Sequence, residues 1–260
     1  MIPTVILCGG TGTRLREMTE LLPKSLIPIG GIPMIVYIMK LYAYYGFKDF
    51  ILALGYKQEA FKQYFAHYDL INNDCTVSVG RYMGKNYCEA KHTDQWSVTM
   101  VDTGENTMKG GRLKRIEKYI KEDIFMCTYG DGLSDVNLRE VLTFHQSHGK
   151  IATITGIHPI PRFGEIHRER GKVVSFSEKP QDDNCLVSGG YMVFNRRIFD
   201  YLTDDAWCDL EVGPLELLAA KGELQVYHHK GYWQCLDTMK DMGELQQEWE
   251  TGKARWKIWK

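Results

Sequence analysis

The chain begins with a short apolar run that ends in glycines: Val5-Ile6-Leu7-Cys8-Gly9-Gly10-Thr11-Gly12-Thr13-Arg14-Leu15. No other stretch limits the fold as much. An apolar run closing in a glycine turn reads as a buried strand followed by a sharp reversal. Glycine has no Cβ, so the backbone there can bend tightly and bring its N–H groups against a ligand. Clustered N–H groups ahead of a helix form an anion site. Arg14 adds a planar, permanent charge matched to phosphate oxygens. Leu7, Cys8, Gly9, Gly10, Thr11, Gly12, Thr13 and Arg14 are therefore candidates for a nucleotide cradle. Read alone, the string also fits a tight structural turn. It is neither common phosphate motif: Leu15 stands where a dinucleotide fold needs its third glycine, and no G-x-x-x-x-G-K-[ST] string occurs. Lys24 follows Pro23, whose ring fixes the backbone ahead of it and lets the ammonium fold back over the same phosphates.

Downstream, apolar runs alternate with helical spacing. The spacing predicts helices over 33–45, 58–68, 112–119 and 136–148. It predicts strands over 49–55, 76–79, 97–102, 124–128 and 151–156. Strands separated by crossover helices give an α/β fold, with a mostly parallel sheet covered on both faces. Beyond Ile151 the pattern changes to short strands over 163–166, 172–177 and 189–195. These read as a β-rich extension for a second ligand. Two later helices are predicted over 214–221 and 238–251. The tail carries Trp256 and Trp259 among lysines, a pattern that docks on a neighbour or back on the core.

Composition removes several functions. A net charge of −1 gives no electrostatic basis for binding nucleic acid or an anionic membrane. No apolar stretch approaches the roughly 20 residues that span a bilayer. The N-terminal residues read as a strand rather than a signal peptide. The seven cysteines are scattered and read as reduced thiols of a cytoplasmic protein. The eight histidines form no HExxH string, and Ser188 lacks the GxSxG context of a hydrolase.

Three further positions carry chemistry. Tyr129-Gly130-Asp131-Gly132 ends an apolar strand, where ligands of open α/β sheets bind. A carboxylate there can hold Mg²⁺ against phosphate oxygens; alone, the string also fits a turn. Asp237, just before Thr238, is the second candidate carboxylate and equally a helix N-terminal residue. Arg112 follows Gly110-Gly111 at a predicted helix start, and by itself reads as a surface arginine.

The combination Gly-Gly-x-Gly-Thr-Arg-Leu, Pro23-Lys24 and Gly31-x-Pro33-Met34 resembles the signature of sugar-phosphate nucleotidyltransferases. Further strings narrow the resemblance to the glucose-1-phosphate cytidylyltransferase branch, also called CDP-glucose pyrophosphorylase. They are Val101-Asp102-Thr103-Gly104, Met108-x-Gly110-Gly111-Arg112-Leu113, Arg162-Phe163-Gly164, Phe176-x-Glu178-Lys179-Pro180, Ser188-Gly189-Gly190 and Trp233-Gln234-x-x-Asp237-Thr238. The similarity runs from Val5 to Trp259.

The resemblance implies a Rossmann-like mixed sheet in a single domain. Its parts would be a nucleotide-binding half (1–152), a sugar-phosphate half (153–237) and a C-terminal helix and tail (238–260). It implies Mg²⁺-dependent cytidylyl transfer from CTP to α-D-glucose 1-phosphate for deoxysugar and O-antigen-type polysaccharide synthesis. Arg14, Lys24, Asp131 and Asp237 would carry the reaction, the two aspartates holding the metal. Thr107, Arg112 and Gly130 would join the loop in binding nucleotide. Gly164, Glu178, Lys179, Ser188, Gly189, Gly190 and Trp233 would bind the sugar phosphate. A homo-oligomer is implied, a hexamer being one such form, and a neighbour's loop between Thr107 and Arg112 is one way to complete the site.

Some positions depart from the branch. Leu22-Pro23-Lys24-Ser25 stands for Lys-Pro-Lys-Pro, Gly30-Gly31-Ile32-Pro33 for Gly-Gly-Lys-Pro, and Ser188 for asparagine. A sibling enzyme using dTTP, UTP or another acceptor stays open, as does a non-catalytic nucleotide-binding module.

Overall fold

The computed structural model describes residues 2–76, 87–89, 94–158, 165–177 and 185–259. Its centre is a seven-stranded sheet. The strands are β1 (Thr4–Leu7), β2 (Asp49–Leu54), β3 (Ser97–Asp102), β4 (Ile124–Tyr129), β5 (Ala152–Ile157), β6 (Val187–Asn195) and β7 (Leu224–His228). They lie in the order β7-β5-β6-β4-β1-β2-β3. Only β6 runs against its neighbours; the other pairs are parallel. The mixed, mostly parallel sheet expected from sequence is therefore present.

β1 sits in the interior of the sheet, with Val5 opposite Ile51 on one side and Cys127 on the other. Successive side chains point to opposite faces. Ile6 joins the core on one face, with Leu52, Met126 and Val193. Val5 and Leu7 join the other, with Ile51, Cys127 and Met192. Burial on both faces explains why these strands read as continuous apolar runs. The register sets Leu7 opposite Ala53 and Tyr129, so three strands end at one edge.

Helix α1 (Met34–Tyr44) is buried along most of its length and fills the first core. Helix α2 (Gln58–Ala66) breaks at His67, and a separate short turn covers Tyr68–Asn72, where one helix over 58–68 was expected. Helix α3 (Lys109–Arg115) starts three residues earlier than predicted, and a 3₁₀ turn over Glu117–Tyr119 replaces its end. Gly110 and Gly111 lie inside α3. A Cβ on either would fall 2.6 Å from the Asp209 carbonyl oxygen or 2.4 Å from that of Asp205, so the glycines admit a chain rather than open the helix. Helix α4 (Leu138–His148) is capped by Asn137 and ends at Gly149, whose φ of 64° is the left-handed conformation glycine favours. The opening loop leads into single turns, Thr13–Leu15 and Arg16–Thr19, and not into a long helix.

The second half contains a hairpin of Glu165–Glu169 with Lys172–Ser177; its second strand falls as expected, while the first, expected over 163–166, runs on to Glu169, and 163–164 lie outside the described residues. The strand predicted over 76–79 is described only as Asp74–Thr76. The helix predicted over 214–221 is regular only over Glu216–Ala220, because Gly213 at φ 99° and Pro214 distort its start. The edge strand β7 was not anticipated; its exposed positions weaken the apolar signal.

Helix α5 (Met239–Glu250) and the tail dock back on the core. Trp256 is 1% exposed and packs 5.9 Å from the rings of Tyr37 and Tyr232. Gly30 lets Trp249 approach: a Cβ there would fall 2.0 Å from the indole nitrogen. Cys8, Cys127, Cys185, Cys208 and Cys235 are free thiols, but Cys75 is disulfide-bonded and stands opposite Cys88 in a short ladder. The expectation of reduced cysteines throughout fails there. Among the described residues, no helix is long and apolar enough to cross a membrane.

The tail thus acts as part of the core. Trp256→Ala is expected to destabilise the fold by about 3–5 kcal/mol, read by urea unfolding. A loss under about 1 kcal/mol would mean that the tail lies on the core without supporting it.

Candidate active site

The carboxyl edge of β1, β2 and β3 is held by one buried cation. Arg112 is 3% exposed, so the surface placement expected for a lone arginine is wrong. Its Nη1 donates to the Leu54 carbonyl (3.0 Å), Thr103 Oγ1 (2.9 Å) and the Gly104 carbonyl (2.7 Å). Its Nη2 donates to the carbonyls of Gly9 (2.9 Å) and Glu105 (2.8 Å). Burial lowers its pKa, but the carbonyl dipoles answer the charge. A Cβ on Gly9 would fall 2.0 Å from the guanidinium carbon, and one on Gly55 2.3 Å from Nη1. Gly9 is therefore glycine because an arginine lies against it.

Beyond this staple the loop turns. Gly12 takes φ 64°, and its carbonyl accepts from Leu15 N and from Thr19 Oγ1. Thr11, Thr13 and Arg14 are exposed at the rim. Lys24 begins a 3₁₀ turn after Pro23 and points back under the loop.

Lys24 ties together two remote carboxylates. Its Nζ lies 2.6 Å from Asp131 Oδ2 and 2.7 Å from Asp237 Oδ1. Arg14 Nη1 lies 3.0 Å from the other Asp237 oxygen. Burial lowers the Lys24 pKa, but the charges and hydrogen bonds of Asp131 and Asp237 outweigh it and hold the ammonium above its ordinary value. Burial likewise raises Asp237, and Lys24 more than reverses this, leaving the carboxyl below its usual range. Two carboxylates converging on one cation are an oxygen donor set that fits a hard divalent ion.

Local pairing explains the convergence. Gly132–Ser134 forms an antiparallel ladder with Trp233–Cys235, and Leu236 N donates to the Asp131 carbonyl (2.9 Å). Thr238, not Asp237, caps α5, in a capping box with Asp241. Asp241 Oδ2 also accepts from Asp237 N (3.0 Å), which fixes the backbone that presents the carboxylate.

These groups line two cavities with a common wall. One of about 330 Å³ is bounded by Leu7 to Gly10, Gly12, Lys24, Thr107, Arg112, Gly130 and Asp131. A notch of about 160 Å³ is bounded by Gly12, Thr13, Arg14, Lys24 and Asp237. The family model for nucleotidyl transferases matches residues 3–252 of this sequence.

The chain belongs to the nucleotidyl transferase family. Glucose-1-phosphate cytidylyltransferases from Salmonella typhi and Salmonella typhimurium are each 45% identical to it over 260 residues, covering 98% of this chain and 98% of theirs. The fold also resembles a solved UDP-glucose pyrophosphorylase bound to UDP-glucose, with a TM-score of 0.69 at 16% identity, over 97% of this chain and all of that one.

Within this nucleotidyl transferase, the first cavity gathers most of the predicted nucleotide residues. Thr11 lines neither cavity. Ser188, Gly189, Gly190 and Trp233 lie apart from them. Trp233 Nε1 donates to the Gly189 carbonyl (2.7 Å), and the ring lines a separate cavity of about 600 Å³ with His158, His228 and Arg255. Gly190 takes φ 78°, and a Cβ there would strike the Tyr129 ring at 2.6 Å. Gly164, Glu178 and Lys179 lie outside the described residues.

Sequence reasoning missed Ser25, Lys109, Tyr129 and Asp209 on the wall of the first cavity. Glu211 accepts from both Lys109 and Tyr129. Lys109 lies unmarked inside the Met108-x-Gly110 string, and Asp209 and Glu211 have no sequence signal. Asp241 had a usable one, the spacing from Thr238 of a capping box.

Arg112→Met would leave the carbonyls of Gly104 and Glu105 without their Arg112 donor and take one donor from those of Gly9 and Leu54, which keep Tyr56 N and Thr103. A loss of about 3 kcal/mol or more is expected in urea unfolding. A variant as stable as the parent would show that these carbonyls find other partners.

Proposed function

We propose that the chain transfers the cytidylyl group of CTP to α-D-glucose 1-phosphate, giving CDP-glucose and pyrophosphate. The main support is full-length similarity to enzymes of that name, in a chain whose loop, lysine and two aspartates meet at one rim. A phosphate oxygen of the sugar attacks the α-phosphorus as the bond to the β-phosphate oxygen breaks, and pyrophosphate leaves with the electron pair. The nucleophile is already an anion, so the protein supplies no general base. What the protein must do is bring two anions together and screen them.

In this reading the loop from Leu7 to Arg14, with Thr107 and Gly130, faces the nucleotide. Arg112 contributes by fixing Gly9 and the Thr103–Glu105 segment. Lys24 and Arg14 screen the triphosphate. Asp131 and Asp237 would hold Mg²⁺, which when bound neutralises phosphate charge. Lys179 and Glu178 take the sugar phosphate and its hydroxyls, with Gly164, Ser188, Gly189, Gly190 and Trp233 around the ring; these assignments rest on the motifs. Both substrates are charged phosphates that do not cross bilayers, which assigns the reaction to the cytoplasm. The product is an activated sugar for deoxysugar and O-antigen-type synthesis.

Pyrophosphate release, assayed with Mg²⁺ over nucleoside triphosphates and sugar 1-phosphates, should be greatest with CTP and glucose 1-phosphate. Release with dTTP or UTP but not CTP would overturn the base assignment. Lys24→Ala and Asp131→Ala should each lower kcat by about a hundredfold or more. Near-normal turnover would remove the assigned role.

The pH dependence has a definite sign. Lys24 is held above and Asp237 below their ordinary values, so both stay charged from acid pH to about pH 10. The sugar phosphate gains its second charge near pH 6. Rate should rise through about pH 6 and stay level to about pH 9. A falling limb between those values would mean that Lys24 titrates early.

A further inference from the structure

The pair of carboxylates that would hold the metal already holds a cation of this chain. Lys24 Nζ touches one oxygen of each, at 2.6 and 2.7 Å. Mg²⁺ takes carboxylate oxygens at about 2.0–2.1 Å, so an ion on these two oxygens falls in the space Nζ fills. The two cannot bind there together. Arg14 covers the other oxygen of Asp237. Lys24, Arg14, Asp131 and Asp237 thus form a neutral set of two cations and two anions. A divalent ion entering this set alone meets two competing charges. A triphosphate entering first offers those charges new partners.

The side chain has room to change partners. Lys24 lines both the main cavity and the phosphate-side notch. Its Cβ lies 3.2 Å from where a Gly12 Cβ would stand, so its stem passes directly beneath the loop. Movement of Nζ from the carboxylates toward the loop needs rotation about side-chain bonds and no shift of the 3₁₀ turn.

We infer that Lys24 is a tethered competitor for the divalent cation, whose ammonium and the metal exchange places between Asp131 and Asp237 when nucleotide binds. This rests on the metal site proposed above. Lys24 then has a second role. Besides screening the phosphates, it balances the charge of the two carboxylates until the nucleotide draws it away. Metal and nucleotide bind cooperatively, each making room for the other.

The test uses Mn²⁺ as the probe, titrated into the full-length protein without nucleotide and followed by the electron paramagnetic resonance signal of the free ion. Lys24→Met and Lys24→Gln are compared with the parent, and Asp131→Asn is introduced in each background. Thermal melts check that each variant is folded. A unit charge at this range moves a carboxylate's proton affinity by about one to three pKa units. By the same field, both Lys24 variants should bind Mn²⁺ about tenfold to a thousandfold more tightly than the parent while losing turnover. With the Mn²⁺ that CTP binds by itself subtracted, CTP should tighten Mn²⁺ binding more in the parent than in either variant. Equal or weaker Mn²⁺ binding in both Lys24 variants, with loss on Asp131→Asn, would overturn the exchange and leave the metal site standing. Mn²⁺ binding indifferent to Asp131→Asn in every background would overturn the metal site and the exchange with it.

Discussion

The site depends on one guanidinium buried at the end of a sheet. Three segments finish near the same point: the loop after β1, the end of β2 and the turn after β3. Each presents backbone carbonyls there, of which Gly9 and Leu54 also accept from Tyr56 N and Thr103 N. Buried carbonyls need donors, and Arg112 supplies them to Gly9, Leu54, Gly104 and Glu105 at once. A lysine could not do this, since a planar fork reaches acceptors in several directions from one side chain. The loop is then held from below, and its rim of Thr11, Thr13 and Arg14 stays exposed, with Arg14 resting on Asp237.

A second constraint brings the carboxylates together. Asp131 and Asp237 are far apart in the chain, yet three-residue strands beside each form a ladder and carry them to the same lysine. The capping box of α5 then holds Asp237 from behind through Asp241. The sheet places Asp131 and the last helix places Asp237. Trp249 of this helix and Trp256 of the tail pack on the same Tyr37 ring, so the tail belongs to the architecture of the site.

The sequence made the sheet legible because strands buried on both faces carry an unbroken apolar signal, as in β1, β2 and β4. It made the loop, Lys24 and the aspartates legible because glycine, proline and paired charge leave local marks. What it hid was set by contact at a distance. Gly110 and Gly111 look like a helix opening, but their need for small size comes from Asp205 and Asp209, nearly a hundred residues away. Arg112 looks solvated because nothing nearby in sequence announces the four carbonyls that it meets. Edge strand β7 has too little burial for a period to show, and the π-like distortion at Gly213 appears only against the chain it packs on.

The departures from the cytidylyltransferase branch can be weighed by position. Ile32, where the branch carries a lysine, belongs to an apolar cleft with Leu22, Leu26, Pro28 and Tyr64. That cleft shares no residue with the two cavities around Lys24. A charge missing at Ile32 is therefore not subtracted from the phosphate site. Ser25 differs in kind: it is 5% exposed, and its Oγ lies 2.2 Å from where a Gly130 Cβ would stand. Ser25 and Gly130 thus form a matched pair, a side chain in the 3₁₀ turn requiring none in the turn after β4. Such a pair changes the shape behind Asp131 while leaving its charge alone. Of these departures Ser25 therefore borders the cavity beside the loop, and Ile32 does not.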